Sequence, residues 1–78
     1  MLHLESSGLR VYEVSLYNKE VRALVGRNRR HRHFDDRWAQ IQRRDVVARD
    51  EAEARTLIAE RFPAEEGFVV EGVCRGRF

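Results

Sequence analysis

The chain has 78 residues, 42% of them hydrophobic and 36% charged, with a formal net charge of +2 at pH 7. That length suits one domain, and the apolar fraction argues against a disordered chain. No run approaches the roughly 20 apolar residues of a membrane-spanning helix, and the single cysteine, Cys74, permits no internal disulfide.

Residues 1–8, "MLHLESSG", are turn-rich and lack a continuous apolar stretch. They are expected to form a flexible N-terminal segment, not a secretory signal. A single domain over 9–78 follows. With one cysteine and no signal, the expected location is the cytoplasm.

Residues 9–18, "LRVYEVSLYN", read as a strand. Tyr12, Val14 and Leu16 share one face, and Val11, Glu13 and Ser15 the other. Asn18 is placed to cap the helix that follows, its side-chain oxygen accepting from free amides of the first turn. Val21, Leu24 and Val25 then recur at helical spacing. The apolar stripe fails after Gly26, which offers the chain an exit from the helix. Phe34 and Trp38 restore an apolar face beyond it and are expected to pin the connection to the core, with Trp38 as a core residue.

Residues 40–49, "QIQRRDVVAR", read as the second strand. Val46, Ala48 and Arg44 share a face, while Ile41 is out of phase, which predicts a bulge or a late strand start. In "DEAEARTLIAERFP", Asp50 and Glu53 make a capping box. Ala54, Leu57, Ile58 and Phe62 form a buried stripe, and Pro63 ends the helix. Residues 68–75, "FVVEGVCR", form the third strand. Uniform alternation places Phe68, Val70 and Cys74 on the inner face, with Gly72 in phase, and Val69, Val73 and Val47 on the outer face. Cys74 would then be a buried, inert thiol.

The element order predicts an α+β fold, a small two-layer β-α-β-α-β sandwich. It has a three-stranded mixed sheet with two helices on one face. The second helix is long enough to return the chain along the sheet, so strands two and three should run parallel if they pair.

Charge is polarised along the chain. Residues 19–49 carry ten Lys or Arg against four acids, and residues 50–67 carry two Arg against six acids. The cations concentrate in "GRNRRHRHFDDRW", residues 26–38. Arg27, Arg29, Arg30, His31, Arg32, His33 and Arg37 are the candidate polyanion-binding residues. Arg forks fit phosphate oxygens, and nearby aromatic side chains can stack on bases. The segment at 27–33 is expected to be a solvent-exposed, mobile loop or frayed helix end.

Other chemistry is disfavoured. Two His amid Arg do not make a metal site, since zinc wants three or four ligands. "GRNRRH" has a single Gly and lacks a phosphate-loop ending, and the adjacent acids of "FDD" suit a cap or turn. No catalytic residue, metal or cofactor is expected. The leading expectation is a non-enzymatic protein-interaction or assembly module, with a half-apolar outer sheet face that allows a homodimer. The alternative is binding of nucleic acid or another polyanion through residues 27–33.

Overall fold

A computed structural model describes residues 8–76. Of the expected flexible segment, only Gly8 falls within it. The elements are β1 (Arg10–Asn18), α1 (Lys19–Val25), β2 (Gln42–Ala48), α2 (Glu51–Arg61) and β3 (Phe68–Arg75). Short 3-10 turns lie at Asp36–Ala39 and Ala64–Glu66. The fold is α+β, with three strands and two helices. No helix among the described residues is long and apolar enough to cross a membrane.

The strand order is β2-β1-β3, and β1 is antiparallel to both neighbours. The expected mixed sheet is therefore corrected to an antiparallel one. β2 and β3 do run in the same direction, but α2 carries the chain past β1, so they never pair. β1 supplies the middle of the core: Val14 and Leu16 are fully buried, with Ile58 of α2 and Phe68 of β3 packed beside them. Each such side chain contributes roughly 1.5–3 kcal/mol by leaving water.

The helix starts follow their sequence signals. Asp50 Oδ1 accepts from the Glu53 amide at 2.8 Å, and Glu53 Oε1 accepts from the Arg49 amide at 3.0 Å. Ala54 and Ile58 face the sheet. Asn18, fully buried, joins three parts of the chain. Its Oδ1 accepts from the Glu20 and Val21 amides at 2.9 and 3.0 Å, and its Nδ2 donates to the Glu66 carbonyl at 2.9 Å. Gly67, at φ 98°, completes this joint: a Cβ there would come within 2.8 Å of Asn18 Oδ1.

One irregularity rearranges β3. Ser15 pairs with Gly72, but the next residue, Leu16, pairs with Val70, leaving Glu71 without a partner. An extra residue in a strand reverses the facing of everything beyond it. Phe68 and Val70 face the core as expected. Past the bulge, Val73 pairs with the buried Val14 and packs on the core, while Cys74 pairs with Glu13 on the outer face. The expected inward Cys74 and outward Val73 are thus exchanged, and Cys74 is exposed.

Candidate functional site

The basic segment begins where α1 ends. Gly26 is the C-cap of α1, where the failing apolar stripe places the helix end, and it keeps helical angles. The turn comes two residues later, at Asn28 with φ 57°. The Asn28 amide donates to the Val25 carbonyl at 3.0 Å and the Arg29 amide to the Leu24 carbonyl at 2.8 Å. This is a Schellman closure with Asn in the left-handed position that Gly usually takes. The helix end is therefore hydrogen-bonded shut, and of the two expected forms of residues 27–33 the loop is the one observed.

His31 is tied into the fold. Its Nδ1 accepts from the His33 and Phe34 amides at 3.0 and 3.3 Å. That network places the ring proton on Nε2, which lies 3.5 Å from Glu20 Oε1. The ring also packs on Phe34, with centroids 5.0 Å apart. Phe34, Trp38, Phe62 and Phe68 then form an aromatic cluster, each of the first three meeting Phe68 at 5.0–5.1 Å and steep interplanar angles. Arg44 covers the Trp38 ring at 5.1 Å. Trp38 is half-buried and belongs to the core's rim.

The remaining candidates point to solvent. Arg27, Arg29, Arg30, Arg32 and His33 are exposed. None of the four Arg makes an ion pair among the described residues. Arg37 is exposed and engaged: Asp35 Oδ1 accepts from its amide at 2.8 Å and lies 3.4 Å from its Nε. The Arg37 amide, then its guanidinium, and Arg30 hold the Asp35 carboxyl below its ordinary range. A depressed acid favours the fold above its ordinary pKa, and that contribution is lost as pH falls through the depressed value.

Among the described residues, the depressions beside these cations each hold only one or two of them. Arg30 shares a shallow depression of about 290 Å³ with His31, Phe34, Asp35 and Asp36. Arg29 and Arg30 border another of about 230 Å³ that also holds Asp36. His33 faces a third, of about 500 Å³, with Glu20 and Glu66. Acids are interleaved throughout, which weakens the field an anion would meet. Among the described residues, no group of three or more His, Cys, Asp or Glu side chains could hold a metal ion.

A second surface lies along β2. β2 is an edge strand, and Ile41 and Val47 beside it are 44% and 47% exposed. A groove of about 450 Å³ runs between β2 and α2, lined by Val46, Leu57 and Ile58 with Asp45, Glu60 and Arg61 at its margins. The sequence signal for this edge was the out-of-phase Ile41. It shares the outward parity of Arg43, Asp45 and Val47.

Fold and surface together define a small α+β domain with a partly apolar sheet edge at β2 and a basic connection between α1 and β2. The chain matches no protein-family model, and no curated protein or solved structure is significantly similar to it.

Proposed function

We propose that this protein is a non-enzymatic interaction module that assembles with itself through its sheet, in the cytoplasm. The reading rests on the β2 edge, unpaired among the described residues, where exposed Ile41 and Val47 adjoin an apolar groove. Unpaired edges with exposed apolar side chains are templates for another strand. The test is light scattering coupled to size exclusion over a wide concentration range, at low and high salt. A dimer that persists at high salt is expected, and a chain that stays monomeric throughout refutes the reading.

A second reading has its own support: four exposed Arg, at 27, 29, 30 and 32, free of ion pairs among the described residues. It makes residues 27–33 a contact for nucleic acid or another polyanion. Retention on heparin that collapses with salt is its signature, because released counterions carry the affinity. Replacing Arg29, Arg30 and Arg32 with Ser should remove that retention.

A further inference from the structure

Beyond self-association itself, we infer that two copies pair β2 against β2 around a two-fold axis centred on Arg44, giving one continuous antiparallel sheet. The inference rests on the assembly reading above and specifies its interface and register. Peptide groups along an edge strand point alternately toward and away from the edge. Two identical strands must match this alternation, so only a register centred on a residue is open.

The outward side chains choose among those registers. They read Ile41, Arg43, Asp45, Val47, an apolar–cation–anion–apolar order that is its own complement when reversed. Centred on Arg44, Arg43 of each copy faces Asp45 of the other, and Ile41 faces Val47. Centred on Asp45, two acids meet, and Arg43 faces Val47. Centred on Arg43, two Arg meet, and Asp45 faces Ile41. Opposite charges directly across a strand pair stabilise, and like charges destabilise. The register on Arg44 alone satisfies all four outward positions.

The single copy leaves Asp45 poorly matched. Its cross-strand neighbour on β1 is another acid, Glu13. Among the described residues Asp45 makes no ion pair, while Arg43 lies 3.8 Å from Glu13. A second copy's Arg43 supplies the missing cation. The like-charge meeting at the centre is Arg44 with its own copy. That guanidinium is engaged within its subunit, on the Trp38 ring and on the Arg43 carbonyl at 3.0 Å. The other edge is less suited to the role: the bulge at Glu71 interrupts β3, and bulges disrupt regular pairing.

The test is a charge exchange read by sedimentation and light scattering. Arg43→Asp and Asp45→Arg each put like charges opposite in both symmetric positions. Each should weaken dimerisation by about tenfold or more. Mixing the two variants restores both pairs, so a heterodimer should form, and the double exchange R43D/D45R should dimerise again. Single variants that dimerise as tightly as the parent overturn the register and leave the assembly reading standing. A parent chain that is monomeric at every concentration overturns both. If a single variant fails to fold, amide exchange on the parent decides the matter. Protection of β2 amides that rises with concentration supports the pairing, and its absence from β2 defeats it.

Discussion

The connection between α1 and β2 contains two kinds of residue threaded through one another, and they behave oppositely. Arg27, Arg29, Arg30 and Arg32 project into solvent without ion-pair partners among the described residues. Asn28, His31, Phe34 and Trp38 close the helix end, hold two backbone amides and enter the aromatic cluster. The lesson is that a basic run is not one object. Its four free Arg reach solvent, and its polar and aromatic members hold the loop that carries them. His31 changes sides: counted by charge it belongs with the Arg, and by its hydrogen bonds it belongs with Phe34.

The sharpest test of that division is Trp38→Ala. Removing an indole that packs on Phe62 and Phe68 at 5.2 and 5.1 Å should cost about 3 kcal/mol, the low end for aromatic deletions because the ring is half-exposed. A denaturant midpoint unchanged by this substitution would detach the aromatic half from the core. His31→Ala comes next. It removes the acceptor of the exposed His33 amide and the part-buried Phe34 amide, along with the packing on Phe34, and should cost about 1 kcal/mol in urea unfolding. His31→Asn offers an acceptor near the position of Nδ1 and should recover part of the loss; if both variants unfold like the parent, His31 belongs with the cations after all.

Asn28→Ala should be costly by about 1 kcal/mol, because alanine tolerates the left-handed conformation poorly. Asn28→Gly should be close to neutral, since glycine adopts that conformation freely. Equal midpoints for the two variants would show that the left-handed turn at Asn28 does not hold the helix end closed. The smallest effect is expected for the combined change of Arg29, Arg30 and Arg32 to Ser, within about 0.5 kcal/mol of the parent. A clear loss of stability would mean that the cations too are structural.

Much of the fold was legible in local sequence because its signals act within one turn of chain. Asn18 and Asp50 cap helices through amides two or three residues away. The stripe of Ala54 and Ile58 recurs at helical spacing and is buried as that spacing demands. The alternation of β1 likewise places Val14 and Leu16 inward. The candidate site was legible only in part. The exposed Arg followed from the missing apolar stripe, while the role of His31 depends on an imidazole meeting amides two and three residues on, which composition does not reveal.

What the sequence by itself determined, then, were the elements and their capping, since propensity, hydrophobic period and short-range hydrogen bonds are properties of contiguous residues. Only the tertiary structure decided that β1 lies between β2 and β3, which makes the sheet antiparallel, and that Glu71 bulges from its ladder. That bulge sends Val73 to the core and Cys74 to the surface, against the uniform period of two. Strand order and bulges are set by partners far away in sequence, where burying one valine against Val14 outweighs the regularity of the strand that carries it.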